Sequence, residues 1–299
     1  MTASASTRPL VTIVTAARSA SATIARCCAS ARRQRGANWE HVIVTRHDDA
    51  ATRDAAIRAT GSDRRVMQVR TDADCAAAAR NAGLQFARGE FVLFLDADDT
   101  LHPRQIAALT RAALQGQADI VVSGHRVMAP DGLILTRHDA RDPRHLDEGT
   151  IAVLHAMLFR RSVLDAIGGF DAGLRTSEDL DLCRRARAAG ARFTVSAARG
   201  ANYWTSAGSL SADGAQMLID RTAVLQRQSG ADRDAVAMAM VRMALWAGAK
   251  SIAYGHDLAP LLAALRGAPA IPPITMDRDE AACALLDGLM LGFLCPYRR

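Results

Sequence analysis

Lysine is almost absent from this sequence: Lys250 is the only one, so arginine supplies nearly all of the formal net charge of +6. Such a skew is typical of a GC-rich bacterial genome and says little about binding partners. No basic stripe carries interleaved aromatic residues, so we expect no nucleic-acid partner. A mildly basic surface still suits an anionic substrate or an acidic membrane surface.

Paired cysteines and long apolar runs are also missing. The six cysteines form no Cys-x-x-Cys pair and no ligand spacing with histidine, so we expect free thiols in a reducing cytoplasm. The N-terminal apolar run is too short for a secretory signal, and no stretch reaches about 18 uncharged apolar residues. The segment Ala281–Tyr297 comes closest, but Asp287 interrupts it. We interpret it as a helix packed on the body; the alternative is a peripheral contact with the inner face of the membrane.

Strand and helix patterns alternate through the first two-thirds of the chain. Short apolar runs predict strands at Leu10–Ala16, His41–Thr45, Arg65–Val69 and Phe91–Leu95, with another beginning at Asp119. Alanine-rich or amphipathic stretches predict helices at Ala20–Arg35, Asp72–Ala87 and His102–Gln115, the last with Pro103 in its first turn. This alternation indicates an α/β fold with a mostly parallel, doubly wound sheet, which binds ligands beyond the carboxyl ends of its strands.

The second half of the chain has weaker patterns. Asp131–Glu148 is rich in charged residues and glycine, which indicates a long surface connection, and a helix is predicted over Ile151–Ile167 before a Gly-Gly turn. Beyond about Asp213 only helical patterns remain. We therefore predict one α/β domain followed by a C-terminal helical extension over residues 213–299.

An acidic cluster follows the fourth predicted strand. Asp96, Asp98 and Asp99 crowd its carboxyl end, and such crowding destabilises a fold unless a cation neutralises it. Hard oxygen ligands in an Asp-x-Asp pattern suit Mg²⁺ or Mn²⁺ that also binds substrate phosphate. The alternative is a solvated loop in which Asp99 or Thr100 caps the next helix.

Two long motifs carry a resemblance to a known family. ARNAGLQFARGEFVLFLDADD begins at Ala79, and LFRRSVLDAIGGFDAGLRTSEDLDLCRRARAAG begins at Leu158. In order and spacing, both resemble the signatures of family 2 glycosyltransferases, which have the GT-A fold. The resemblance covers roughly residues 8–215. It implies a GT-A domain over residues 8–212, with a nucleotide-sugar half over 8–120 and an acceptor half over 121–212.

The resemblance also implies roles for individual residues. Asp96 would contact the ribose of a nucleotide-sugar donor and help to fix the metal, and Asp98 would ligate Mn²⁺ or Mg²⁺ on the donor diphosphate. Glu178 and Asp179 match the family's catalytic Glu-Asp pair, whose aspartate is the general base in inverting members. A first-turn acid that the helix dipole favours is the competing interpretation of Asp179. Arg80 would position phosphate or pair with an aspartate.

The segment after the second strand departs from the family pattern. Family members usually have Asp-Asp-Gly-Ser there, and its first acids help to recognise the base. Here Arg46 and His47 occupy those positions, so Asp48 is the displaced candidate for nucleotide binding. Ser206 also stands where a histidine is common. The base of the donor therefore stays open.

We expect an inverting, metal-dependent, cytoplasmic glycosyltransferase that transfers a sugar to a hydroxyl acceptor in glycan, glycolipid or cell-surface polysaccharide synthesis. One alternative is an inactive GT-A-like binding module. Another is a haloacid-dehalogenase-like phosphatase with Asp96 as nucleophile and Asp98 as acid. Against the phosphatase, Lys250 follows both acidic motifs, at residues 96–99 and 178–179, whereas that mechanism places its phosphate-binding cation before the last acidic motif.

Overall fold

A single mixed sheet organises the chain. The computed structural model describes residues 9–140, 153–205 and 213–227, with single positions between 241 and 263. Within these residues the strands are β1 Val11–Ala17, β2 Trp39–Arg46, β3 Val66–Thr71, β4 Phe91–Phe94, β5 Thr100–Leu101, β6 Ile120–Met128, β7 Ile134–His138, β8 Met157–Arg160 and β9 Phe193–Trp204. The helices are α1 Ile24–Arg32, α2 Ala50–Thr60, α3 Ala76–Leu84, α4 Gln105–Gln115, α5 Arg161–Ile167, α6 Glu178–Ala188 and α7 Gly214–Gln226.

The strand order along the sheet is β3-β2-β1-β4-β8-β6-β9-β5, and β7 pairs with β6. The first four strands of this order are parallel. β8 runs antiparallel between β4 and β6, whereas β9 is parallel to β6. The predicted α/β class is confirmed. Its parallel half matches the strand–helix alternation, because parallel neighbours need helical crossovers.

Strand β4 lies at the centre of the core because both of its faces are covered. Phe91 and Leu93 belong to the apolar cluster on one side of the sheet, and Val92 and Phe94 to the cluster on the other. The ring of Phe94 meets that of Phe170 edge-on at 4.8 Å. This alternation fixes the register of the strand, so the residues that follow it leave the sheet at a defined point.

The first four predicted strands are confirmed, with boundaries that shift by at most two residues. The helix predicted over Ile151–Ile167 is wrong for its middle part. Met157, Leu158 and Phe159 form strand β8, because they are fully buried between β4 and β6 and complete the sheet there.

Two other expectations need correction, and one strand was missed. The predicted surface connection at Asp131–Glu148 contains strand β7, although residues 141–152 lie outside the described part. Helix α4 begins at Gln105, so Pro103 precedes its first turn. Strand β9 was not predicted at all, because its alanine, serine and glycine residues give no apolar alternation.

Two glycines of the first motif allow close approach of the backbone. A Cβ atom at Gly83 would lie 2.6 Å from Cγ1 of Val14, so glycine lets α3 pack directly on β1. A Cβ at Gly89 would lie 2.5 Å from the backbone nitrogen of Thr12. These contacts hold α3 and the start of β4 against the neighbouring strand.

Helix α7 lies at the start of the predicted extension over residues 213–299. The segment Ala281–Tyr297, interpreted above as a packed helix, lies outside the described residues. Among the helices that the structure describes, none has both the length and the apolar character required to span a membrane. Cys27, Cys28, Cys75 and Cys183 carry free thiols.

Candidate active site

The acidic cluster lies at the carboxyl end of β4, as predicted. Leu95 still donates its backbone N–H to Val14 on β1, and the chain then turns, with Asp99 N–H donating to the carbonyl of Asp96. Strand β5 begins directly after this turn and pairs with β9. The turn therefore points Asp96 and its neighbours out of the sheet at the edge where parallel α/β folds bind ligands.

Arg80 joins the two acidic motifs. From α3 it donates to Oδ1 of Asp96 through Nη2 and to Oε1 of Glu178 through Nη1, each at 2.6 Å. Its side chain is only 7% exposed. Burial lowers the pKa of this guanidinium, but the charges of Asp96 and Glu178 outweigh burial and raise it. Two segments that lie 82 positions apart in the chain, residues 96 and 178, thus share one buried cation.

The negative charges of Asp98 and Asp99 are less well compensated by cationic side chains. Burial and the charge of Asp96 raise the pKa of Asp98. The guanidinium of Arg26 donates to the backbone carbonyl of Asp98, at 2.6 Å. Burial and the two neighbouring aspartates raise the pKa of Asp99 well above its usual range. Carboxylates that resist ionisation together are suited to an added divalent cation, which would relieve the repulsion.

Asp99 does not cap helix α4, so that alternative is wrong. Its Oδ1 accepts a hydrogen bond from the backbone of Trp204 at 2.7 Å, and its Oδ2 lies 3.1 Å from Nδ1 of His155. Asp99 and His155 are both 1% exposed, and burial lowers the pKa of His155 to about 4. One ligand atom each from Asp96, Asp99 and His155 lie within 4.8 Å of one another, so these three side chains could also hold a metal ion.

The Gly-Gly-Phe turn of the second motif is clamped to α3. The side-chain amide of Asn81 donates to the carbonyl of Phe170 and accepts from its backbone N–H, both at 2.8 Å. Gly169 adopts φ +71°, and a Cβ there would lie 2.5 Å from Oδ1 of Asn81. The clamp explains why asparagine and glycine occur at these positions: together they fix the path of the chain towards α6.

Asp179 occupies the first turn of α6, directly after Glu178. Burial and the charge of Glu178 raise the pKa of Asp179 to about 7, although Arg221 acts in the opposite direction. Its Oδ1 accepts the backbone N–H of Leu180 at 2.8 Å. A carboxylate whose pKa lies near neutral pH is suited to accept a proton in a reaction. The position agrees with a first-turn acid as well as with a general base.

The segment after β2, where the sequence departs from the family pattern, makes contacts within the protein. Asp48 is 69% exposed, and both of its carboxylate oxygens accept hydrogen bonds from Arg46, at 2.8 and 2.9 Å. Asp49 caps α2 by accepting from the backbone of Thr52 at 3.1 Å, so it is used for structure. His47 pairs with Asp72 at 2.8 Å. The edge of the sheet beside β2 therefore carries the Arg46–Asp48 ion pair and the contact of His47 with Asp72.

Three of the six predicted site residues meet: Arg80 contacts both Asp96 and Glu178. Asp98 lies two residues after Asp96, and Asp179 directly follows Glu178. Asp48 contacts Arg46, and no contact between it and this group is described. Ser206 lies outside the described residues.

Sequence reasoning missed three participants: His155, Arg221 and the backbone of Trp204. Their partners lie far away in the chain, and no local motif marks them. Only the fold could have shown these contacts.

Residues 12–168 match the pattern of "Glycosyl transferase family 2", which is more than half of the chain. The chain belongs to this glycosyltransferase family. The family match covers β1 to α5 and includes Arg80 and all three aspartates after β4. It ends before Glu178 and Asp179.

Two relatives named as biosynthesis proteins of bacterial polysaccharides are also similar in sequence to this chain. Succinoglycan biosynthesis protein ExoO of Rhizobium meliloti is 30% identical over 220 residues, covering 68% of this chain and 63% of that protein. O-antigen biosynthesis protein RfbC of Myxococcus xanthus is 33% identical over 196 residues, covering 60% of this chain and 14% of that protein. This chain thus spans less than two-thirds of the length of either relative.

Solved structures show the same fold. Mannosyltransferase PcManGT from Pyrobaculum calidifontis, in complex with GDP-Man and Mn²⁺, superposes with a TM-score of 0.63 at 18% identity, over 97% of this chain and 86% of that one. S. aureus TarS 1-349 in complex with UDP-GlcNAc gives a TM-score of 0.62 at 14% identity, over 94% and 89%. At these identities the likeness concerns the fold, which is that of GT-A glycosyltransferases.

Proposed function

We propose that this chain is an inverting, metal-dependent glycosyltransferase that moves a sugar from a nucleotide-sugar donor to a hydroxyl acceptor. The observation that carries the proposal is the contact of Arg80 with both Asp96 and Glu178 at 2.6 Å. A donor-binding carboxylate and a catalytic carboxylate must border one crevice if a single sugar is to reach both. The shared arginine supports that arrangement.

The donor is proposed to bind at the carboxyl end of β4. Asp96 would contact the ribose, and Asp98 with Asp96 would hold Mn²⁺ or Mg²⁺ on the diphosphate; Asp99 and His155 lie beside them as further oxygen and nitrogen donors. These side chains fit a hard divalent cation, since the protein leaves the repulsion among the aspartates only partly compensated. When bound, the metal supplies Lewis-acid stabilisation of the charge on the departing diphosphate.

The acceptor is proposed to be activated by Asp179. Its carboxylate takes the proton of an acceptor hydroxyl as the oxygen attacks the anomeric carbon from the face opposite the leaving group, which inverts the configuration. Such general-base catalysis contributes about 10²–10⁴-fold. Glu178, held by Arg80, would keep the base at a fixed distance from the donor, and its negative charge helps to raise the proton affinity of Asp179.

The names of the relatives support a cell-surface polysaccharide or another bacterial glycan as the acceptor, with a glycolipid as a further possibility. We propose a cytoplasmic location and a peripheral membrane contact through Ala281–Tyr297. Liposome flotation that weakens on deletion of Ala281–Arg299 would support that contact. The proposed division of labour places the donor in residues 8–120, the acceptor in 121–212, and a closing helical part in 213–299.

A second candidate is an inactive binding module. The specific observation that favours it is the ion pair of Arg46 with Asp48, which occupies the position where family members recognise the base. For the proposed enzyme, Asp48 would have to exchange Arg46 for the nucleotide. An inert module would bind the nucleotide sugar without releasing the nucleotide.

A thermal-shift panel separates these functions. UDP, GDP, dTDP and CMP sugars are tested with and without Mn²⁺, and release of the nucleotide is then measured for each sugar that binds. We expect one nucleotide class to raise the melting temperature more with Mn²⁺ than without it, and to be turned over. Binding without turnover would favour the inert module. No shift with any donor, together with phosphatase activity on p-nitrophenyl phosphate, would refute the glycosyltransferase proposal.

A further inference from the structure

Helix α7 holds the loop that leads to the proposed base. Asp220 on this helix is 7% exposed, and its Oδ2 accepts three hydrogen bonds: from the backbone of Arg175 at 3.1 Å, the backbone of Thr176 at 2.8 Å and the hydroxyl of Thr176 at 3.0 Å. Gln216 donates to its Oδ1 at 2.8 Å. One buried carboxylate on the extension therefore organises the last residues before α6.

The next residue of this loop has an unusual backbone. Ser177, the N-cap of α6, adopts φ +58° and ψ 16°, the left-handed conformation that side-chain-bearing residues seldom take. Such a conformation persists only when the surroundings enforce it. The bonds of Asp220 fix the residue immediately before this turn, and Glu178 and Asp179 follow immediately after it. The direction in which the acidic pair leaves the loop thus depends on α7.

We propose that Asp220 is a positioning residue for the general base: its hydrogen bonds to the backbone and hydroxyl of Thr176 fix the strained turn that presents Asp179. The inference rests on the proposed function, since it assumes that Asp179 takes a proton from the acceptor. It assigns a catalytic contribution to a helix that lies beyond the family match, which ends at residue 168.

The test measures kcat and KM for variants of Asp220, with the donor identified by the thermal-shift panel. Asp220→Ala should lower kcat at least tenfold with little change in the KM for the donor, whereas Asp220→Asn, which keeps an acceptor oxygen, should retain most of the activity. Asp213→Ala removes the N-cap of the same helix and controls for loss of helix stability.

Equal losses in Asp220→Ala and Asp213→Ala would overturn the role of Asp220. If wild type turns over none of the donors, the proposed function fails first and this inference falls with it. The outcomes therefore distinguish the two proposals.

Discussion

Replacing Asp179 with asparagine should stabilise the folded protein while it removes the proposed base. The pKa of Asp179 is raised to about 7 in the folded state by burial and by Glu178, against about 3.9 in an unfolded chain. A difference of about three units corresponds to about 4 kcal/mol of unfavourable free energy when the carboxylate is ionised in the folded state.

The sign follows from proton linkage. Because the folded pKa is the higher one, the penalty is absent below about pH 4, grows by about 1.4 kcal/mol for each pH unit, and is complete above about pH 7. Asparagine has the shape of the neutral acid and can keep the hydrogen bond from Leu180. Asp179→Asn should therefore exceed wild type in the free energy of unfolding by about 2 kcal/mol at pH 5.5 and by up to about 4 kcal/mol at pH 8.5.

Urea unfolding in metal-free buffer at these two pH values measures the difference. Asp165→Asn removes a negative charge from the exposed surface of α5 and should change stability by no more than about 0.5 kcal/mol at either pH. Turnover of Asp179→Asn should fall by orders of magnitude while the donor still binds. A variant that is no more stable than wild type, or a difference that does not grow with pH, would refute the electrostatic reasoning.

Three further substitutions test the rest of the site. Asp98→Ala should abolish metal-dependent donor binding in calorimetry with and without Mn²⁺, and an unchanged affinity would exclude it as a ligand. Arg80→Met should lower the free energy of unfolding in urea by about 3–5 kcal/mol, because it leaves Asp96 and Glu178 without their cation. An unchanged free energy of unfolding would show that the arginine does not hold the two acidic motifs together. Asn81→Leu should cost about 2–4 kcal/mol through its two lost hydrogen bonds to the Gly-Gly-Phe turn, whereas Gln85→Leu on the exposed side of the same helix end should be nearly neutral.

The sequence predicts the parallel half of the sheet well. Strands β1, β2 and β4 are dominated by β-branched or large apolar residues, and helix patterns separate them, so each strand has a local signature. Strand β8 has only four residues and runs directly into α5. Its apolar residues therefore fit the helical pattern of the residues that follow. Strand β9 pairs along β6 over most of its length, and its stability comes from that partner instead of from its own composition.

The candidate site likewise combines residues that local motifs predict with contacts that they do not. Asp96, Asp98 and the Glu178–Asp179 pair were predicted because they fall in motifs of fixed spacing. A pairing of Arg80 with an aspartate was one of two expectations for this residue, but its simultaneous contact with Glu178 was not expected. Long-range contacts leave no trace in local sequence, as the approach of His155 to Asp99 also shows.

The configuration of the transferred sugar is the most direct test of a base on one side of the anomeric carbon and a metal-bound diphosphate on the other. NMR of the purified product made from an α-linked donor reports the one-bond carbon–proton coupling at the anomeric carbon, which distinguishes the α from the β configuration of the new glycosidic bond. The proposed mechanism predicts the β anomer. A product that keeps the α configuration would contradict it and remove Asp179 from its role.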